Sequence, residues 1–438
     1  MRASTPSVPA RTRPGRRPAV VLFGGVPVVV RHAALVEEAR RRGLEVLVVT
    51  PPGPAVARVR AAVEDDPSHP LAGVARWLPA APVVDDVVAS VLAVLDEVDV
   101  RAVLSCGELF VEACGQVADL LGLPGPGLRA SRVCRDKLLQ RSYLADLGPR
   151  STFVPPGAQV PAATYPCVVK PTGRMSSSGV RRVDDARALR DVLAAAGEGM
   201  LVEELVEGPE VSVEALVQHG EVRWANVTAK TTTEGEGPYF AETAHVLPAA
   251  LPAPAHASLL RANGDVLAAL DLRDGISHAE FRLTPSGPVL MEVAARVPGD
   301  GITLMLHLAT GAPLEPTLLD LALGEPVDHP APRRRVGQRF LGTAHGVLRG
   351  VAAADGVPVA VLADDGAWPA PAPARADDPS RTVAVLRWKA LGSTVGPVRE
   401  SSDRAVSVLV DAPLDVPLEP VLDAAERTVE VEVEAVDA

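Results

Sequence analysis

His278-Ala-Glu-Phe-Arg-Leu-Thr-Pro-Ser-Gly-Pro-Val-Leu-Met-Glu292 consists of two short apolar-rich runs around a Pro-Ser-Gly turn, and it reads as a β-hairpin. With the turn centred on Ser286, antiparallel pairing sets Glu280 opposite Glu292, and the two-residue period of a strand puts both carboxylates on one face. Like charges facing each other across strands destabilise the pair. At about 4 Å and an effective dielectric near 20 the repulsion is roughly 4 kcal/mol, so a proton or a cation belongs between them. A hard divalent ion bound through oxygen, Mg²⁺ foremost, meets that requirement. The same period places His278 and Arg282 beside Glu280, and Arg296 on the face of Glu292. Side-chain cations are therefore the competing explanation, and a salt-bridged surface hairpin stays open.

Working upstream, Tyr165-Pro-Cys-Val-Val-Lys170-Pro-Thr-Gly-Arg-Met-Ser-Ser-Ser-Gly-Val180 is a strand that ends in a lysine and runs into a loop rich in Gly and Ser. Gly173, Ser176, Ser177, Ser178 and Gly179 offer backbone N–H and hydroxyl groups to phosphates, and Lys170 supplies charge. The Walker pattern does not fit, because the lysine precedes the glycines. Between this loop and the hairpin, an acidic turn in Leu201-Val-Glu-Glu-Leu-Val-Glu-Gly-Pro-Glu210-Val-Ser-Val-Glu-Ala-Leu216 separates two apolar strands.

In this order the segments resemble the ATP-grasp superfamily. The resemblance spans Ala19 to the C-terminus and rests on Arg135-Asp-Lys137, Val168-Val-Lys170-Pro, Glu203-Glu204, Gly208-Pro-Glu210, Glu280 and Met291-Glu-Val-Ala-Ala-Arg296-Val-Pro-Gly-Asp300. Within it, Val227-Thr-Ala-Lys230-Thr-Thr followed by Pro238-Tyr-Phe-Ala-Glu242-Thr-Ala-His245-Val-Leu-Pro248 is most similar to the L-amino acid ligases. The resemblance implies that Lys137 and Lys170 contact the phosphates of ATP under a loop closed by Gly173 to Gly179. It further implies that Glu203 and the backbone of Glu204 and Val206 meet adenine, and that Glu210 meets the ribose. Glu280 and Glu292 would hold Mg²⁺, with Mn²⁺ as a substitute. Arg296 and Lys230 would act on the reacting groups, and Glu242 would bind a substrate ammonium. His245 would take the amine proton, an imidazole being the side chain that titrates near neutrality. Gly299, Asp300 and Gly301, at the start of a helix from Ile302 to Leu308, would hold a substrate carboxylate.

One residue departs from the pattern. Many relatives carry Asn two positions after the second glutamate, whereas this chain has Ala294, which cannot ligate metal. The implied reaction activates a carboxylate as an acyl phosphate and joins it to an amine, both small molecules, with a homodimer compatible with the resemblance. The alternatives are a biotin-carboxylase-like enzyme, although no Met-Lys-Met acceptor occurs here, and a nucleotide-binding module without catalysis.

Composition excludes other classes. A chain of 438 residues, 47% hydrophobic, is long enough for several packed subdomains, and a net charge of −12 argues against a nucleic-acid binder. Cys106, Cys114, Cys134 and Cys167 lack the spacing of a zinc site or a disulfide framework, which suits a cytoplasmic protein. The basic, proline-rich start followed by Ala19-Val-Val-Leu-Phe imitates a secretory signal. The run nevertheless continues into an amphipathic helix, a glycine stop and another buried strand, a βαβ unit. No stretch reaches transmembrane length without charge. The expected fold class is α/β, of the α+β ATP-grasp kind. Its parts would be a disordered tail (1–18), an N-terminal parallel α/β domain (19–125), a helical linker (126–165) and a lid (166–230). A larger subdomain with the metal and substrate site (231–330) and a β-rich C-terminal subdomain (331–438) would follow.

Overall fold

The computed structural model describes residues 15–363 and 368–436. The N-terminal part is a four-stranded, wholly parallel sheet in the order Val74–Pro79, Glu45–Thr50, Arg17–Phe23, Val98–Ser105. Its strands are near-continuous apolar runs because helices cover both faces, including Ala33–Arg41 on one side and Val111–Leu121 on the other. The α/β expectation holds here, with one change at its edge. Residues 1–14 of the expected tail lie outside the described residues, whereas Arg17 and Pro18 are already in the first strand, in register with Val98 and Asp99.

A second, antiparallel sheet of four strands runs Ser151–Val154, Met200–Glu204, Cys167–Pro171, Arg181–Val183, with the amphipathic helix Ala186–Ala195 packed on it. Asp185 starts that helix by accepting from the N–H groups of Arg187 and Ala188. The sheet is drawn from residues 151–204, not from 166–230. The strands Glu210–Gln218 and Glu221–Thr232 leave it because their alternate residues Val211, Val213, Ala215, Val217 and Val227 are packed in a different core.

That core lies under a nine-stranded sheet ordered Gly287–Ala294, Gly275–Thr284, Glu210–Gln218, Glu221–Thr232, Glu242–Leu247, Arg334–Phe340, Val406–Pro413, Arg381–Arg387, Val359–Val361. The C-terminal residues expected as a separate subdomain thus supply four strands of the central sheet. Only Gly346–Ala352, Thr394–Val395 and Glu430–Glu434 form a small sheet of their own. Among the described residues, no helix is long and apolar enough to cross a membrane.

Candidate active site

The hairpin forms with the expected register: Glu280 pairs with Glu292 and His278 with Ala294. Its tip is shorter than a Ser286-centred turn requires, since Thr284 pairs with Gly287 and Phe281 with Leu290. A bulge at Met291 restores the register. It also frees the Met291 carbonyl, which accepts from Arg141 at 2.7 Å and from Lys170 at 3.4 Å.

Pairing across the sheet carries the polar face sideways from the hairpin. Arg282, Glu210, Lys230 and His245 stand in one row; Glu292, Glu280, Ser212 and Thr228 in the next; Ala294, His278, Glu214 and Asn226 in a third. Residues between them, such as Phe281, Ala279, Val211 and Val213, point the other way into the core. Alternation along five adjacent strands therefore builds a polar floor on an apolar underside.

Glu280 faces two cations. Lys230 bonds to both Glu280 and Glu242, and His278 reaches Glu280 through Nε2 at 3.2 Å. The Nδ1 of His278 is held at 3.0 Å by Glu214, a fully buried carboxylate that also accepts from Ser212, Asn226 and Thr228. Against its own burial, Glu214 is thereby lowered to about 2. Against burial and the nearby Lys230, His278 is raised by Glu214 and Glu280. Burial opposes ionisation of Glu280, but Lys230 and His278 hold its carboxyl well below the usual range. Glu210 goes the other way: burial and the Glu280 charge push it up to about 7.

Carboxylate oxygens of Glu210, Glu242 and Glu280 lie within 4.8 Å of one another, as do donor atoms of Glu242, His245 and Asp300. The oxygen-only set around the Lys230 ammonium suits a hard cation, so the residues fit an Mg²⁺-bearing nucleotide. Glu292 belongs to neither group of three and is instead paired with Lys137 at 3.1 Å. Ala294 lines the cleft and offers no ligand.

Arg135-Asp136-Lys137 proves to be three separate devices. Asp136 caps the helix Lys137–Tyr143 by accepting from Leu138 and Leu139, Arg135 binds Glu108, and Lys137 opens the helix. Lys137 begins the second of the two linker helices, because Asp136 is the residue with the capping carboxylate. Its ammonium donates to the Arg174 carbonyl at 2.6 Å, under the Gly/Ser loop. In that loop Ser176 and Ser177 adopt φ of 60° and 57°, a left-handed conformation that non-glycine residues seldom take, before Gly179 at 75°. The Ser176 carbonyl accepts from Ser401 N, and Ser177 Oγ donates to the Phe240 carbonyl. The loop is thus fastened to two distant segments.

Glu203 needs a correction. Both of its oxygens are occupied, by Arg141 at 2.6 Å and Lys170 at 2.9 Å, and it is almost wholly buried. It positions Lys170 rather than offering a free carboxylate to adenine. The N–H of Glu204 is likewise taken by the Arg150 carbonyl, and the Val206 carbonyl by Arg282. Gly208 is required where this segment passes the hairpin: at φ 140° a Cβ would sit 2.3 Å from the Leu283 carbonyl.

At the other end of the floor, Arg296 donates to Glu108, which is shared with Arg135. Asp300, at φ 50°, is gripped by both terminal nitrogens of Arg404 at 2.9 and 2.6 Å. Against burial, Arg404 and His245 hold Asp300 well below the usual carboxylate range. His245 is fully buried with Nε2 3.1 Å from Asp300 and 3.5 Å from Glu242, so those two carboxylates stand between it and a substrate.

One cleft of about 200 Å³ gathers Lys137, Lys170, Ser176, Ser177, Ser178, Glu203, Glu204, Val206, Glu210, Lys230, Glu242, Glu280, Glu292, Arg296, Gly299 and Asp300. Gly173, Gly179, His245 and Gly301 do not line it. Arg141, Glu108, Arg404 and Glu214 were missed. Arg141 had a signal, lying one helical turn beyond Lys137. The others hold their partners from 188, 104 and 64 residues away, with nothing local to announce them.

The ATP-grasp domain matches residues 163–304. A D-alanine–D-alanine ligase of Anaeromyxobacter sp. is 30% identical over 232 residues, 49% of this chain and 75% of the ligase. Carnosine synthase 1 of Gallus gallus is 33% identical over 211 residues, 43% of this chain and 22% of the synthase. The chain spans half or less of the length of the first curated relatives it matches. Among solved structures, an L-amino acid ligase from Bacillus licheniformis superposes with a TM-score of 0.74 at 21% identity, over 96% of this chain and 100% of that one.

Proposed function

This chain belongs to the ATP-grasp superfamily, and on that premise we propose that it is an ATP-dependent carboxylate–amine ligase that joins amino-acid substrates through an acyl phosphate. The observation that carries the reading is the single cleft in which Glu280 opposes Glu292 while Lys137, Lys170 and Arg296 surround them.

ATP would lie with its base against Leu205 and Val206, beyond the occupied Glu203, and its ribose against Glu210. Lys137 and Lys170 would take its phosphates under the Gly/Ser loop, whose N–H groups complete the cradle. Glu280 and, once Lys137 turns from it to the phosphates, Glu292 would hold Mg²⁺, which would supply charge neutralisation to the phosphate oxygens. A carboxylate oxygen of the donor attacks the γ-phosphorus, forming an O–P bond as the bond to the ADP oxygen breaks. Arg296, a permanently charged fork fixed by Glu108, supports the transferring group. The amine then attacks the acyl carbon, the C–O bond to phosphate breaks, and phosphate leaves. Asp300, held ionised, is a weak base; the proton passes to His245 behind it. Glu242 would receive a substrate ammonium once Lys230 has yielded contact with it. A cytoplasmic setting, with its supply of ATP, agrees with four unpaired, buried cysteines.

Phosphate release from MgATP, screened against single amino acids and pairs with mass spectrometry of the products, tests the proposal. Release that needs two substrates and yields a condensation product is expected, with Glu280→Gln losing at least about 100-fold, as expected when charge stabilisation of a transferring group is removed. Binding of MgATP with no release in the presence of any substrate, in wild type as in Glu280→Gln, would falsify the reading and favour a nucleotide-binding role, the alternative raised by Ala294.

A further inference from the structure

The third row of the floor carries a buried polar network that no step of the proposed reaction uses. Glu214 is fully enclosed at its centre, and each of its oxygens accepts twice. Oε1 takes Ser212 Oγ at 2.7 Å and His278 Nδ1 at 3.0 Å, while Oε2 takes Thr228 Oγ1 at 2.7 Å and Asn226 Nδ2 at 3.0 Å. A carboxylate so filled has no proton to give, so Nδ1 of His278 is the donor and the imidazole is fixed in plane and tautomer. Its other nitrogen, Nε2, faces Glu280 Oε1 at 3.2 Å, an oxygen that Lys230 also meets.

With the ring proton committed to Glu214, a lone pair on Nε2 faces a carboxylate oxygen, and the two call for a cation or a second proton between them. Ligands at right angles about an ion at about 2.1 Å stand about 3 Å apart, so Nε2 and Oε1 have the spacing of neighbours around one metal. A carboxylate behind the far nitrogen is also how proteins orient a metal-binding histidine. The register supplies an independent observation. His278 pairs directly with Ala294, and both line the cleft. Side chains so opposed have Cβ atoms about 4.5–5.5 Å apart, so the imidazole borders the space that the Asn of many relatives would fill.

We propose that His278 is a ligand of the divalent cation held by Glu280, its Nε2 taking from the opposite strand the place that Ala294 leaves empty. The inference rests on the metal site of the ligase reading and changes that site from oxygen alone to mixed nitrogen and oxygen. Imidazole raises the standing of transition ions against Mg²⁺, which tilts this site toward Mn²⁺. Glu214 is then a positioning residue, and Ser212, Thr228 and Asn226 hold it in place.

The test uses the whole protein with Mn²⁺ and ADP and reads the bound ion by electron spin-echo envelope modulation, which registers a directly ligated nitrogen. Wild type is expected to show nitrogen modulation that changes when histidine alone carries heavy nitrogen, which separates imidazole from adenine and backbone. His278→Gln should still bind the ion but lose the modulation. Glu214→Gln should weaken binding of Mn²⁺ with ADP about 10- to 100-fold, the usual effect of losing an outer partner of a ligating histidine. Adding Ala294→Asn to His278→Gln should recover affinity without recovering the nitrogen signal. Only bound ion contributes to the modulation, so partial misfolding does not imitate its loss. Bound Mn²⁺ without histidine modulation, or modulation that survives in His278→Gln, overturns the assignment of His278 and leaves the ligase reading standing. No binding of Mn²⁺ with ADP overturns the metal site itself, and this inference with it.

Discussion

Replacing Lys230 with Met removes the one ammonium among three carboxylates. Glu210, Glu242 and Glu280 place oxygens within 4.8 Å of one another. At that separation and an effective dielectric of 20, each pair of charges repels by roughly 3–4 kcal/mol. The protein can relieve this only by protonating carboxylates or recruiting a cation, and removing one partner of a buried ion pair costs about 3–5 kcal/mol. The loss is pH-dependent with a defined sign. Glu210 is already raised from 4.5 to about 7 by burial and Glu280, so its contribution is fully present below pH 4.5 and is lost as pH rises through about 7, about 3 kcal/mol in all. Without Lys230, the cation that holds its carboxyl low against burial, Glu280 joins that behaviour. Urea unfolding at pH 6 and pH 8 should therefore show a Lys230→Met deficit that is larger at pH 8. At an m of about 3 kcal/mol per molar this is a midpoint lower by about 1 M. Millimolar Mg²⁺ should close the gap in the variant far more than it shifts wild type, since oxygen ligands welcome a hard cation once the ammonium is gone. A deficit below about 1 kcal/mol at pH 8, or one equal at both pH values, would refute the electrostatic account of this cluster.

Two further outcomes follow from the same face of the sheet. ATP affinity, measured by calorimetry, should strengthen between pH 6 and pH 8 as Glu210 loses its proton near 7 and becomes a better acceptor for ribose hydroxyls, and Glu210→Gln should flatten that dependence. His245→Asn should slow condensation with an amino acid by about 10²-fold or more, the usual worth of general-base help, yet slow hydroxamate formation much less, because hydroxylamine needs no deprotonation at neutral pH. Equal losses in both reactions would make His245 a purely structural support for Asp300.

The hairpin was legible in the sequence because a strand has a period of two and Pro-Ser-Gly leaves little freedom at the tip. Even so, the paired glutamates depend on the Met291 bulge, which no local pattern signals. Lys170 could be read as a phosphate ligand from its place at a strand end before a Gly/Ser loop. The ion pairs of the neighbouring Glu203 were not legible, since its partners Arg141 and Lys170 are brought to it by tertiary packing. The lid boundary failed for a related reason: Glu210–Gln218 looks like a continuation of the same small sheet until its apolar face is seen to belong to the larger core. Glu108 and Arg404, which fix Arg296 and Asp300, come from segments with no motif of their own.

The turn Ser401–Asp403 touches both ends of the cleft. Through Ser401 N it holds the Ser176 carbonyl of the Gly/Ser loop, and the next residue, Arg404, grips Asp300. On the ligase reading, lifting that loop to let ADP out would break the Ser401 bond and free the turn whose far side holds Asp300. Departure of the spent nucleotide and loosening of the product would then be geared together by four residues of chain, giving turnover a built-in order of exit.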